Sequence, residues 1–179
     1  MADKIRPQYE NLGVEGYYQT HGETYRNPHE KQIHVLLEQF APLLNLGNTL
    51  DLACGSGEVT LKLLGLGATV HGIDPFTASA YFKRTGLTAE DLSFEEIAGG
   101  ILEHRRYSLI VCSFAMHLFS VSRLPLLIYQ LSNISPQLLI LSPHKRPILK
   151  PEWGYVMKTE KSFERVKGKL YRSAFFEGG

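Results

Sequence analysis

Between residues 48 and 143 short apolar runs alternate with stretches of helical period, which restricts the chain to a small set of folds. The apolar runs are NTLDLAC (48–54), TVHGID (69–74), SFEEIA (93–98), YSLIVCSF (107–114) and LLILSPH (138–144). Helical candidates lie between them at 57–65, closed by Gly65 and Gly67, at about 76–85 before Gly86, and at about 120–133. The unbroken apolar character of 109–112 and 138–141 suits strands covered on both faces. Strands and helices in alternation predict an α/β fold with a doubly wound, mostly parallel sheet flanked by helices.

Before this region, RNPHEKQIHVLLEQFAPLL predicts an amphipathic helix with Asn27 as its N-cap and Pro28 at its first position. Its apolar face is Ile33, Leu36, Leu37 and Phe40, and it ends near Asn45. After it, KSFERVK and KLYRSAFF flank Gly168 and predict an antiparallel C-terminal hairpin turning at that glycine. The five parallel candidates and the hairpin together make seven strands.

A chain of 179 residues accommodates one domain with a real core, so 1–179 is expected to be a single domain. Residues 1–26 are expected to form an N-terminal arm or lid and 27–179 the core. An apolar fraction of 44% with 21% charge is that of a soluble globular protein, and no apolar run approaches the roughly 20 residues that span a bilayer. The first residues, MADKIRPQYE, lack the apolar centre of a secretion signal, so a cytoplasmic location is expected. Cys54 and Cys112 sit in apolar runs without redox or metal-ligand spacing, and the seven histidines are scattered. Buried reduced thiols and no metal site are therefore expected.

The stretch DLACGSG (51–57) joins the first strand to the next helix, and glycine-rich turns of this kind receive ligands. A triphosphate-binding turn requires Lys and Ser/Thr after the glycines, but Glu58 and Val59 follow Gly57. A dinucleotide fingerprint requires a third glycine where this chain has Thr60, and Asp51 beneath the turn would oppose a pyrophosphate. The same carboxylate can anchor a cationic amino-acid group, directly or through water. Asp74 ends the second strand, where a carboxylate can accept hydrogen bonds from both hydroxyls of a ribose.

TLDLACGSGEVTLKLL followed by VHGIDPF resembles the first two motifs of the class I S-adenosylmethionine-dependent methyltransferases, over roughly residues 48–143. The C-terminal hairpin is similar to that superfamily's antiparallel seventh strand. The resemblance implies a Rossmann-like fold, S-adenosylmethionine as cofactor, and a set of contacts. Asp51, Ala53 and Gly55 would line the methionine part, with Ser56 and Gly57 at the helix start. Asp74 would hold the ribose, and Pro75 or Phe76 would cover the adenine. After the third strand, Gly100 and Ile101 would meet the adenine edge. Cys112 and Ser113 would offer carbonyls to the ammonium group, with Phe114 behind them. From the arm, Tyr18 or Tyr25 would reach the site.

The methyl acceptor is less legible, because in-line transfer from a sulfonium needs orientation more than a base. The Asp/Asn-Pro-Pro-aromatic tetrapeptide of enzymes that methylate planar nitrogens is replaced by Ser113-Phe114-Ala115-Met116-His117. His117 and His144 are candidate catalytic residues just beyond strand ends. Lys145 and Arg146, in SPHKRP, are candidate substrate-binding residues for a carboxylate or phosphate. From His144 onward nine Lys or Arg face four Glu, against ten and fourteen acids before it. The lysines of KSFERVKGKLYR nevertheless alternate as on a solvent-facing hairpin, without the aromatic interleaving of nucleic-acid binders. The expected partner is a small, anionic molecule, with neither nucleic acid nor membrane. Alternatives are a protein or RNA methyltransferase, a non-catalytic cofactor-binding protein, and a nicotinamide-dependent oxidoreductase.

Overall fold

The computed structural model describes residues 24–178. The elements are α1 (Glu30–Phe40), β1 (Asn48–Leu52), α2 (Glu58–Gly65), β2 (Thr69–Ile73), α3 (Ala78–Thr85), α4 (Phe94–Ala98), β3 (Leu109–Ser113), α5 (Leu124–Ile134), β4 (Gln137–Ser142), β5 (Tyr155–Phe163) and β6 (Val166–Ser173). Short 3-10 turns occur at Ala41–Leu43, Met116–Leu118 and Pro151–Trp153. Among the described residues no helix is long and apolar enough to cross a membrane.

The strands form one sheet in the order β2-β1-β3-β4-β6-β5. The first four run parallel, while β6 pairs antiparallel with both β4 and β5. Because β2 and β3 lie on opposite sides of β1, the strand order reverses at β1, and ligand crevices open at such points beyond the strand carboxyl ends.

Alternation along β3 explains why the apolar run needs two layers of helix. Ile110 and Cys112 enter a core with Leu52, Leu138, Ile97, Leu127 and Leu131, beneath α4 and α5. Leu109 and Val111 enter the opposite core with Leu139, Leu141, Leu63 and the Ile33, Leu37 and Phe40 stripe of α1. Each fully buried aliphatic side chain contributes roughly 1.5–3 kcal/mol, so both layers are needed to offset the ordering of the sheet.

Three expectations are corrected. The sheet has six strands among the described residues, not seven, because 93–98 is helix rather than strand. Ser93 Oγ accepts from the Glu96 N–H at 3.1 Å and the Glu96 carboxylate accepts from the Ser93 N–H at 3.1 Å, a reciprocal cap that sets the start of α4. What lies beside β2 is Glu90, in a single parallel bridge to Ile73. The hairpin turns at Glu164 and Arg165, both at positive φ (44° and 69°), while Gly168 lies inside β6. A Cβ on Gly168 would stand 2.4 Å from Phe40 Cε2, so this glycine admits α1 against the sheet. Finally, α1 begins at Glu30, and Asn27 Oδ1 accepts from the His29 N–H at 2.8 Å in a turn just before it.

Candidate active site

The β1–α2 turn is shaped by its glycines and by what packs on them. Gly55 has φ +55°, and a Cβ there would lie 2.8 Å from Tyr25 Cε1. Gly57, at φ +88°, would put a Cβ 2.4 Å from Thr85 Cγ2. Any side chain at either position meets both a strained backbone and an occupied space. Glu58 ties the turn to the incoming chain: its carboxylate accepts from the Ser56 hydroxyl and from the Asn27 N–H at 3.0 Å. Arg84 of α3 lies 3.7 Å from Glu58 and 2.7 Å from Glu30. That network holds residues 25–29 over the sheet edge, where Tyr25 is buried and His29 stacks on Phe114 at 5.1 Å.

Asp74 follows β2 and is 6% exposed. One carboxylate oxygen accepts from the Gly55 N–H at 3.1 Å, the other from the Phe76 N–H at 2.8 Å. Burial raises its pKa above the ordinary carboxylate value, against the pull of these donors. Glu90 supports it from the side, its carbonyl accepting the Asp74 N–H at 3.0 Å. Arg105 grips the Glu90 carboxylate with both terminal nitrogens, at 2.6 and 2.9 Å, and holds it below its usual pKa.

Asp51 is fully buried beneath the turn. Its Oδ2 accepts from the Thr60 hydroxyl at 2.7 Å, while Oδ1 has no hydrogen-bond partner among the described residues. Burial pushes its pKa up to about 7.

A cavity of about 350 Å³ opens between the carboxyl ends of β1, β2 and β3. Of the sequence-predicted residues, Tyr25, Ala53, Gly55, Asp74, Pro75, Phe76, Ser113 and Phe114 line it. Asp51, Ser56, Gly57 and Cys112 lie outside the lining and are fully or largely buried. Gly100 and Ile101 do not reach the cavity: they sit in the turn after α4, and Ile101 is half exposed. Their expected place is taken by Leu92, Ser93, Phe94 and Glu95, because the chain returns from β2 at Glu90 rather than at a strand over 93–98. The Ser-x-x-Glu spacing of 93–96 was the sequence signal for this wall. Phe119, packed edge-on against Phe94 at 5.4 Å, was likewise not predicted. Tyr18 lies outside the described residues.

His117 lies in the 3-10 turn after β3, and its ring centroid is 4.2 Å from that of His144. The structure brings the two candidate bases together beside the cavity, whose wall includes their neighbours Ala115 and Leu118. Lys145 and Arg146 are exposed and do not line the cavity.

No protein-family model matches the chain. Among solved structures, the N-methyltransferase NodS of Bradyrhizobium japonicum in complex with S-adenosyl-L-homocysteine superposes with a TM-score of 0.66 at 12% identity, over 93% of this chain and 98% of that one. Magnesium protoporphyrin IX methyltransferase of Synechocystis, with bound S-adenosylmethionine, gives 0.60 at 14% identity over 93% of each chain. The fold, then, is the one shared by these S-adenosylmethionine-dependent methyltransferase structures. The chain belongs to one family with the uncharacterized protein C17A5.05c of Schizosaccharomyces pombe, to which it is 36% identical over an alignment of 188 positions, covering 80% of this chain and 76% of that protein.

Proposed function

We propose that the protein transfers a methyl group from S-adenosylmethionine to a small molecule. The observation that carries this reading is Asp74, a buried carboxylate at the end of β2 whose oxygens are held by the glycine turn and by Phe76, facing a cavity of about 350 Å³. The residues present fit the cofactor. Asp74 retains acceptor capacity for two ribose hydroxyls, and Pro75, Phe76, Leu92 and Phe94 offer apolar faces to a planar base. The orphaned Oδ1 of buried Asp51 suits an ammonium group, reached directly or through water.

Bound there, the cofactor supplies an electrophilic methyl group on a sulfonium. The chain's own residues position and desolvate it. Gly55 and Ser113 leave room for the amino-acid end, Tyr25 covers the turn, and Phe114, backed by His29, forms an apolar wall. His117, beside the cavity wall at Leu118 and with His144 against it, is the candidate to take a proton from the acceptor. Most of the acceleration comes from holding the acceptor in line with the methyl carbon.

Calorimetry with S-adenosylhomocysteine tests the reading. Micromolar binding is expected, weakened about a hundred-fold in Asp74→Ala through loss of two hydrogen bonds to a charged group. Absence of binding to the wild-type protein overturns it.

A further inference from the structure

The basic C-terminal region does not all face solvent as its alternating sequence suggests. Because β6 runs antiparallel to β4, the register Ile140↔Lys169 and Ser142↔Lys167 carries two lysines to the carboxyl end of β4, the edge of the sheet at which the cavity opens. There the chain turns back, with Ser142 Oγ accepting from the His144 N–H at 3.1 Å, and brings Arg146 over the same spot. Ser142, His144, Arg146, Lys167 and Lys169 line a small recess with about 10 Å³ of free room.

Charge and size decide what enters it. The side chains of Arg146, Lys167 and Lys169 are all cationic, and no carboxylate is in the lining. Among the described residues Lys167 has one carboxylate nearby, Glu160 at a loose 3.9 Å, and Lys169 Nζ donates to the Lys145 carbonyl at 3.5 Å. No ion pair reaches Arg146 or Lys169 among these residues. Three like charges around one recess repel each other, and an oxyanion between them converts that repulsion into charge-assisted hydrogen bonds. The recess is too small to enclose a ring, and an oxyanion there would sit at its mouth, among the cationic side chains. His144 lines the recess, and its ring lies 4.2 Å from that of His117, the sequence neighbour of cavity-lining Leu118.

We propose that this recess binds the oxyanion of a small acceptor whose reacting end lies toward His117, so that Lys167, Lys169 and Arg146 select acceptors carrying a carboxylate or phosphate. The assignment rests on the methyltransferase reading. The test is a titration of the full chain, saturated with S-adenosylhomocysteine, with inorganic phosphate at constant ionic strength, followed by the histidine ring NMR signals. Saturable shifts of His144 are expected. Lys167→Ser/Lys169→Ser, and separately Arg146→Ser, are each expected to weaken phosphate about ten-fold or more, with S-adenosylhomocysteine affinity within about two-fold of wild type. If the lysine variant does not fold, Arg146→Ser alone carries the comparison. Shifts that never saturate, or that are equal in wild type and variants, overturn the recess. Saturation of the same signals by a single-stranded RNA oligomer at far lower phosphate concentration than inorganic phosphate overturns the small-molecule assignment. Failure of S-adenosylhomocysteine to bind any form removes the methyltransferase reading instead, and the phosphate titration of the unliganded protein then still reports on the recess.

Discussion

Asp51 is the residue whose chemistry depends most on its surroundings. A carboxyl group normally ionises near 3.8, and burial moves this one to about 7. Between those values the unfolded chain is ionised at this position while the folded chain binds a proton. Stability of the cofactor-free protein therefore falls as pH rises through that window and levels above about 7, an effect on the order of 4 kcal/mol. Asp74, also raised, acts in the same direction. Asp51→Asn is expected to flatten the dependence, raising Tm above wild type at about pH 8 and leaving it nearly unchanged at about pH 4. A bound ammonium reverses the balance by favouring the ionised form, so stabilisation by S-adenosylhomocysteine is expected to grow with pH up to about 7 in wild type and to lose that growth in Asp51→Asn. Thermal melts with and without the ligand read both effects; a slope unchanged in the variant contradicts the role given to Asp51.

At the scale of elements, legibility followed the strength of local signals. The four parallel strands and α1, α2, α3 and α5 could be read because apolar period and glycine or proline punctuation agreed. The strand expected at 93–98 failed because the apolar residues at 94, 97 and 98 are spaced i, i+3 and i+4, as on one face of a helix, and the cap formed by Ser93 and Glu96 starts that helix. That error put at Gly100 and Ile101 a cavity wall that Leu92–Glu95 form. The hairpin was placed correctly but its turn was not: Glu164 and Arg165 hold positive φ without glycine. Gly168 serves packing instead. Gly168→Ala is expected to destabilise the fold by about 1–3 kcal/mol, by driving a methyl group into Phe40 and Leu141. Denaturant melts should show this while S-adenosylhomocysteine affinity is retained, since the substitution lies on the sheet face opposite α5.

For the molecule as a whole, the site exists only when distant parts meet. Glu58 gathers the Asn27 N–H, the Ser56 hydroxyl and Arg84 at one buried carboxylate, and the segment it holds carries Tyr25 over the turn. Arg26 is exposed in that segment, and the peptide bond after it supplies the N–H bound to Glu58. Glu58→Ala is expected to speed tryptic cleavage after Arg26 about ten-fold or more by freeing that N–H, with both cores intact, and saturating S-adenosylhomocysteine is expected to slow the cleavage in wild type. Equal cleavage rates contradict the tether. The same carboxylate makes the site depend on contacts distant in sequence. Its partners close loops of 31 residues on one side and a helix docking on the other, whereas the β1–α2 turn needs only neighbours. Competence to bind S-adenosylhomocysteine is therefore expected to need this contact as well as the sheet, so that a chain with its sheet formed and its tether open holds the ligand poorly.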